Sequence, residues 1–459
     1  MPVLSPVMFR AYDIRGKVAD ELTPQAAQII GKAFGTHIQS KDGPRVTVGH
    51  DNRTSSPALH AAFIEGLLST GCQVIDIGLA TSPMLYFSVI HLGVDGGVNV
   101  TGSHNPVEYN GLKLTGRDAR AIAEDEIQQV RRIAETGDFA RGAGTVRQQS
   151  IIKEYLSEIV KRAHLQRQLK ICLDCGNGTA SIVAPQLLRH IGCEVVELYC
   201  VSDGTFPHHL PDPEDQRSVR ELEAAVIAQG ADLGLALDGD CDRVGVIDEL
   251  GKRHEADDLL ILVARDYLER HPGAKVMMDV KSSQNLVEDI KAHGGEPVMY
   301  KTGHSLIKRK MKEDNILVAG EVSGHMFFAD DYYGFDDALY AAARLLGIIA
   351  KDDRPLSRLW EGLPQTYHTP ELKAPTPEED KFRIVDEITR YFKQHYPVLD
   401  IDGARITFPE GWALVRASNT NPYLTLRFEA RSPQALARIK EVVYAKLMEY
   451  PAVTLPEER

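Results

Sequence analysis

Three successive stretches of this chain alternate apolar, strand-like runs with helical patterns, and each stretch ends by running a strand into a short polar loop that carries glycine. In the first, Thr23-Pro24, Ser56-Pro57 and Ser82-Pro83 each set a hydroxyl cap ahead of a proline, a helix start. Strand runs follow at 45–48, 72–77 and 97–101. The second has strands at 169–174, 193–199 and 231–237 with helices at 181–190 and 219–228. The third has helices at 257–269, 284–293 and 305–312 with strands at 275–280, 297–300 and 316–319. Such alternation predicts α/β domains with mostly parallel sheets faced by helices. The charged stretch 117–147 separates the first round from the second. Past Pro370 the pattern becomes a helix at 381–392, strands at 405–408, 413–416 and 423–428, and a last helix at 433–448, a small α+β domain.

Open α/β sheets bind ligands beyond the carboxyl ends of their strands, so the polar loops at those ends are the candidate site. The first is Thr101-Gly-Ser-His-Asn-Pro106, which places the Ser103 hydroxyl on a turn, where a ligand rather than a core meets it. A bare serine is a poor nucleophile without a base or cation beside it, so the rest of the chain must supply that help. The second, Asp238-Gly-Asp-Cys-Asp-Arg243, sets three carboxylates at alternating positions. Their repulsion calls for a cation, and an all-oxygen set suits a hard ion such as Mg²⁺. An EF-hand is excluded, because Arg243 stands where its glycine is required and a strand pattern follows at 244–247. Arg243 would face a phosphate held at the same ion.

The third loop, Gly320-Glu-Val-Ser-Gly-His325, offers Glu321, Ser323 and His325 for sugar hydroxyls, for an acid/base pair or for a satisfied internal network. The fourth, Arg416-Ala-Ser-Asn-Thr-Asn-Pro422, sets a guanidinium beside Ser418, Asn419 and Thr420, with Arg427 on the next strand. That is the chemistry of a phosphate grip, and also that of an ordinary surface turn. His208 and His209 have no partner at zinc-ligand spacing and read as a proline-bounded turn.

Composition narrows the partners. The 459 residues are too many for one core, and 43% apolar with 25% charged is a globular balance. A net charge of −13 without a Lys/Arg block gives no nucleic-acid footprint. The best apolar run, 259–264, stops at Arg265, short of the ~18 residues a membrane span needs. The first residues lack a signal-peptide layout, and the six cysteines read as reduced thiols, Cys172 and Cys175 facing opposite sides of a strand. The expectation is a cytoplasmic protein.

The four loops, in this order and rough spacing, resemble the α-D-phosphohexomutases of the bacterial phosphomannomutase/phosphoglucomutase type, and the resemblance runs from about Phe9 to Arg431. It implies a four-domain, heart-shaped α/β enzyme, with three similar mixed-sheet domains and a smaller α+β C-terminal domain. The implied divisions are 1–148, 149–252, 253–366 and 367–459. Ser103 would carry the phosphoryl group and, with Asp238, Asp240 and Asp242, bind Mg²⁺. Glu321 and Ser323 would hold sugar hydroxyls, and Arg416, Ser418, Asn419 and Thr420 the phosphate that is not reacting. Lys113 and His325 are similar to family residues near the proton transfers, and Tyr12, Arg15, Arg243, Lys281 and His304 to residues lining the cleft.

The implied reaction moves phosphate between O6 and O1 of mannose or glucose through a hexose 1,6-bisphosphate, with glucose 1,6-bisphosphate as activator. The implied partners are small hexose phosphates, and the chain a monomer or weak dimer. Val322 resembles the methionine of dual-specificity members more than the acidic or amide residue of the glucose-only and glucosamine branches. Cys241 stands where a small residue is more usual. Competing readings are a phosphoglucosamine mutase, a silent sugar-phosphate sensor on the same scaffold, and a metal phosphatase.

Overall fold

The computed structural model describes residues 4–419 and 421–456. The chain forms two compact units, Met1–Tyr267 with His304–Leu359, and Leu268–Gly303 with Trp360–Arg459. No helix among the described residues is long and apolar enough to cross a membrane.

The first unit opens with six strands: β1 (Ile14–Lys17), β2 (Arg45–His50), β3 (Gln73–Leu79), β4 (Gly96–Val100), β5 (Tyr109–Gly116) and β6 (Thr145–Gln148), in sheet order β1-β5-β4-β2-β3-β6. The pairings around β2 and β3 are parallel, as the alternating pattern requires. Those of β5 with β1 and β4 are antiparallel. The sheet is therefore mixed rather than mostly parallel. The added strand β5 returns directly from the Ser103 loop, so that loop is clamped between two neighbouring strands. Ile30, Phe34 and Phe63, on helices Pro24–Lys41 and Ser56–Ser69, are wholly buried beneath the sheet. Each contributes about 2–3 kcal/mol through lost apolar surface.

Two helix starts fall one residue earlier than their serine–proline pairs suggest. Ser55 and Thr81 occupy the cap positions, and the prolines sit at the second helical residue, where the backbone N–H is unbonded in any case. The hydroxyls of Ser56 and Ser82 are thereby released for contacts elsewhere. Helix Asp125–Thr136 fills much of the charged stretch, burying Ile127, Val130 and Ala134 on one face.

A second sheet follows, from β7 (Lys170–Asp174), β8 (Glu194–Leu198), β9 (Leu233–Leu237), β10 (Val244–Asp248) and β11 (Arg253–His254), in the order β11-β10-β9-β7-β8. Strands β9 and β10 pair antiparallel, from Leu237 opposite Val244. The aspartate loop is thus the tip of a hairpin, closed by Asp238 N–H donating to Arg243 O at 3.3 Å. A smaller antiparallel hairpin, Val318–Gly320 with Met326–Phe328, presents Glu321–His325 in the same way. Behind it runs the apolar helix Ala338–Ile349, capped by Asp337.

In the second unit, strands Lys275–Asp279 and Glu296–Tyr300 pair in parallel around helix Gln284–Ala292. The C-terminal sheet is antiparallel, in the order Tyr367–His368, Tyr423–Ala430, Gly411–Ala417, Ala404–Phe408, Val398–Leu399, with Leu372–Pro375 also on Tyr423–Ala430. Helices Glu378–Phe392 and Pro433–Leu447 bury Ile384, Ile388, Phe392, Ile439 and Val443 in that domain's core. This is the α+β arrangement expected of the last domain.

Candidate active site

Ser103 sits at the carboxyl end of β4 with φ +50°, a left-handed backbone that a serine adopts only when its surroundings impose it. The surroundings are specific. Its N–H donates to Thr101 Oγ1 at 2.9 Å, and its hydroxyl donates to Asp238 Oδ2 at 2.9 Å. His104 Nδ1 lies 3.1 Å from the same Oγ. Burial, with the cations Arg243 and Arg15 facing it, holds the His104 imidazole well below its usual pKa and so neutral.

Beneath the loop lies a wholly buried arginine, Arg53. Its guanidinium donates to four backbone carbonyls of the loop and its return: Ser103 at 2.7 Å, Pro106 at 2.8 Å, Tyr109 at 3.1 Å, and Asn105. Asp51 completes the brace. One of its oxygens accepts from Gly102 N–H at 3.0 Å, the other from Arg53 N–H at 3.1 Å and from the Ser56 hydroxyl. The approach is close enough to require glycine at 102, where a Cβ would lie 2.4 Å from Arg53 Nε. Gly239 is required for a similar reason, since a Cβ there would meet Ser103 O at 2.3 Å.

Asp238, Asp240 and Asp242 are all buried, and one ligand oxygen from each lies within 4.8 Å of the others. Asp238 Oδ1 accepts the N–H groups of Asp242 and Arg243 at 3.0 and 3.1 Å. Asp240 Oδ2 accepts the Ser82 hydroxyl at 2.6 Å and the Lys113 ammonium at 2.7 Å. Lys113 also donates to Asp242. Burial and the two neighbouring carboxylates push Asp238 well above the ordinary carboxylate range, whereas burial of Asp242 is outweighed by Lys113 and His325. The three residues fit a divalent cation. Asp240 Oδ1 is buried with no hydrogen-bond partner, the donors are all oxygens, and the Ser103 hydroxyl adjoins them.

The Glu321–His325 hairpin is stitched to this loop by Val244 N–H donating to Gly324 O at 3.2 Å. His325 Nδ1 lies 2.9 Å from Ser323 Oγ and 3.2 Å from Glu321, while its Nε2 lies 3.4 Å from Asp242 Oδ1. Burial opposes a charge on this ring, but Asp242 and Glu321 prevail and its pKa rises to about 9. His304 stacks on His325 with ring centroids 5.3 Å apart, holds Asp336 at 2.9 Å, and meets the edge of Tyr12. Arg15 pairs with Asp13 at 2.6 Å, and Arg243 with Glu214 at 3.1 Å.

Of the residues singled out in the sequence, the first unit therefore gathers Tyr12, Arg15, Ser103, Lys113, Asp238, Asp240, Asp242, Arg243, His304, Glu321, Ser323 and His325. The second unit holds Lys281, Arg416, Ser418, Asn419 and Arg427. There Lys281 donates to Glu371 at 3.1 Å, Arg416 to Asp402 at 3.1 Å, and Ser418 Oγ accepts from Asn421 N–H at 3.1 Å. Burial of Glu371 is overcome by Lys281 and Arg416, which bring its pKa to about 2. Arg427 is buried on its strand. Thr420 lies outside the described residues. Asp51, Arg53 and Ser82 carry no sequence signal for a role at this site, and His104 stands in the Ser103 motif with no role that the sequence assigns.

Four domain models of the phosphoglucomutase/phosphomannomutase family match the chain in order. They are α/β/α domain I at residues 6–141, domain II at 153–251, domain III at 255–367 and the C-terminal domain at 371–446. The chain belongs to this family, the α-D-phosphohexomutases, and is a mutase of the isomerase class. Among its relatives, the phosphomannomutase/phosphoglucomutase of Pseudomonas aeruginosa is 45% identical over 96% of this chain and 95% of its own. The phosphoglucomutase of Neisseria meningitidis is 43% identical over 98% of each. A family protein from Burkholderia thailandensis superposes with TM-score 0.93 at 40% identity, covering 99% of this chain and 100% of its own. Aspergillus fumigatus N-acetylphosphoglucosamine mutase, solved in complex with GlcNAc-6P and magnesium, shares the fold, with TM-score 0.61 at 12% identity over 96% of this chain and 95% of its own.

Proposed function

We propose that the enzyme interconverts the 6-phosphates and 1-phosphates of mannose and glucose, through a phosphoserine at Ser103 and a hexose 1,6-bisphosphate. The observation that carries this reading is the Ser103 hydroxyl at 2.9 Å from Asp238, inside a buried group of three carboxylates. The names of the relatives at 43–45% identity support both sugars. When bound by Asp238, Asp240, Asp242 and Ser103, Mg²⁺ would neutralise charge on the transferring phosphoryl group.

In the first half-reaction the free hydroxyl of the hexose phosphate attacks phosphorus on Ser103, and the bond from phosphorus to Oγ breaks. The proton of that hydroxyl passes to the fraction of His325 that is neutral, a fraction that grows as pH approaches its pKa of about 9. Lys113, a buried ammonium, steadies the oxygen charge left behind on Oγ. In the second half the other phosphate of the bisphosphate returns to Ser103, and protonated His325 gives its proton to the sugar oxygen that leaves. Glu321 and Ser323, bonded to His325, fix its ring and bind sugar hydroxyls. Tyr12, Arg15, Arg243, His304 and Lys281 bind the substrate, and the phosphate not reacting is assigned to Arg416, Ser418, Asn419, Thr420 and Arg427.

The same reading places domain divisions after residues 148, 252 and 366, supported by the spans of the four matched models. It makes glucose 1,6-bisphosphate the activator, the cytoplasm the compartment and the enzyme a monomer or weak dimer. Intact-mass analysis of the purified protein is expected to find phosphate on Ser103 in part of the sample. Coupled assays on mannose 1-phosphate, glucose 1-phosphate and glucosamine 1-phosphate, with and without Mg²⁺ and the bisphosphate, test the rest. Full turnover by Ser103→Ala would overturn the phosphoserine, and dominant activity on the glucosamine ester would overturn the substrate assignment.

A further inference from the structure

Two thiols that take no part in this chemistry lie side by side at the end of the second sheet. Cys175 follows β7 and Cys200 follows β8, which run parallel as neighbours, and Cys175 N–H donates to Leu198 O at 3.3 Å. The Cys200 thiol points at Cys175, sulfur to sulfur 3.3 Å. Cys175 is wholly buried. Cys200 is half-buried and lines a cavity of about 490 Å³ with Ser181, Pro185, Gln186 and Arg189. The remaining cysteines, Cys72, Cys172, Cys193 and Cys241, are buried. One sulfur is therefore open to a small molecule, and the other lies against the first.

We propose that Cys175 and Cys200 are a thiol pair that closes to a disulfide by exchange with a small-molecule disulfide entering the cavity beside Cys200. The Cys200 thiolate attacks one sulfur of the incoming disulfide, whose S–S bond breaks, and a thiolate leaves. Cys175 then attacks the Cys200 sulfur, the Cys200–sulfur bond to the small molecule breaks, and the Cys175 proton passes to the second thiolate as it leaves. The two protein thiols are oxidised, and one small disulfide is reduced to two thiols. The sulfurs, 3.3 Å apart, close to about 2 Å when the bond forms, which draws the two strand ends together.

The cross-link acts on the metal loop through the chain that follows Cys175. Gly176-Asn-Gly178 turns directly against that loop, and Thr179 N–H donates to Gly239 O at 3.0 Å. Drawing Cys175 toward Cys200 shifts this turn, and with it the backbone between Asp238 and Asp240. A misplacement of about 1 Å at a reacting centre costs up to about a hundred-fold in rate, so turnover in the oxidised form is expected to fall by about ten-fold.

The purified full-length protein is incubated with oxidised glutathione, alkylated without reduction and mapped by mass spectrometry. A Cys175–Cys200 cross-linked peptide and the loss of two alkylatable thiols are expected, both reversed by dithiothreitol. Cys175→Ser is expected to stop at a glutathione adduct on Cys200, and Cys200→Ser to keep its remaining thiols and its turnover. Both cysteines remaining alkylatable, or Cys200 pairing elsewhere, would overturn the proposal. A mapped disulfide with unchanged turnover would overturn the coupling to the metal loop. The peptide map is independent of the proposed mutase reaction, and the rate is scored against the reduced protein's own.

Discussion

The Ser103 loop and the Asp238–Arg243 loop meet across one hydrogen bond, yet they are held in opposite ways. The aspartate loop is a hairpin tip that closes on itself, with Asp238 accepting from its own loop's N–H groups. The serine loop has bonds of its own, Ser103 N–H to Thr101 and Asn105 N–H to Gly102, but is braced from below by Arg53 and Asp51, which lie outside it. One loop concentrates negative charge on a self-supporting backbone. The other borrows a buried cation to keep a strained backbone in place. Ligand chemistry and structural support are thus fused in the aspartate loop and divided between separate residues in the serine loop.

If that division holds, damage to the two loops should have different signatures. The largest loss is expected from Asp238→Asn. The amide oxygen still accepts the two backbone N–H groups, so the hairpin remains, while repulsion with Asp240 and Asp242 is relieved. Mutase turnover is expected to fall about a thousand-fold, and adding a chelator to wild type is expected to do the same. The melting temperature of the metal-free protein should stay level or rise. A large drop in melting temperature would show that the loop depends on its charge and would erase the contrast. Next comes Arg53→Ala, which leaves four carbonyls without their donor. It is expected to cost about 3–5 kcal/mol of stability and about a hundred-fold in turnover together. Arg53→Lys should recover only part, because an ammonium cannot span four acceptors. Undiminished kcat in Arg53→Ala would break the comparison from the other side.

The same contrast explains what was legible in the sequence. The aspartate loop, the Glu321–His325 hairpin and the Ser103 turn all announce themselves, because their chemistry and their turn residues are adjacent in the chain. Asp51-Asn-Arg53 reads as an ordinary polar turn, and its role depends on carbonyls some 50 positions away. Ser82 looked like a helix cap, but Thr81 takes that place and frees its hydroxyl for Asp240. Antiparallel β5 was missed because alternation predicts parallel partners and says nothing of a strand that simply turns back. Helix Asp125–Thr136 was hidden by Asp125, Glu126, Arg131, Arg132 and Glu135, which cover its outer face while three apolar residues hold the inner one.

Smaller perturbations sharpen the distinction. Ser82→Ala removes a donor to Asp240 but leaves Lys113, so a loss of about 1 kcal/mol in stability is expected, with weakened Mg²⁺ dependence rather than lost activity. Titrating turnover against Mg²⁺ reads this as a shift in half-saturation of a few-fold. The mildest test lies at the foot of the aspartate hairpin, where His254 on β11 donates to Asp248 at 2.9 Å. Burial disfavours its charge, yet Asp248 and Asp258 outweigh burial and raise its pKa above the usual value. A folded-state pKa above the unfolded one means that folding takes up a proton. The pair's stabilisation is then full below about pH 6.5 and fades as pH climbs through the higher folded value. His254→Gln should therefore lower stability by about 1–2 kcal/mol near pH 6 and by less at pH 9, measured by denaturant melts of both proteins. A gap that stays constant from pH 6 to pH 9 would mean that His254 is neutral, and that the hairpin needs no charge at its base to hold three carboxylates at its tip.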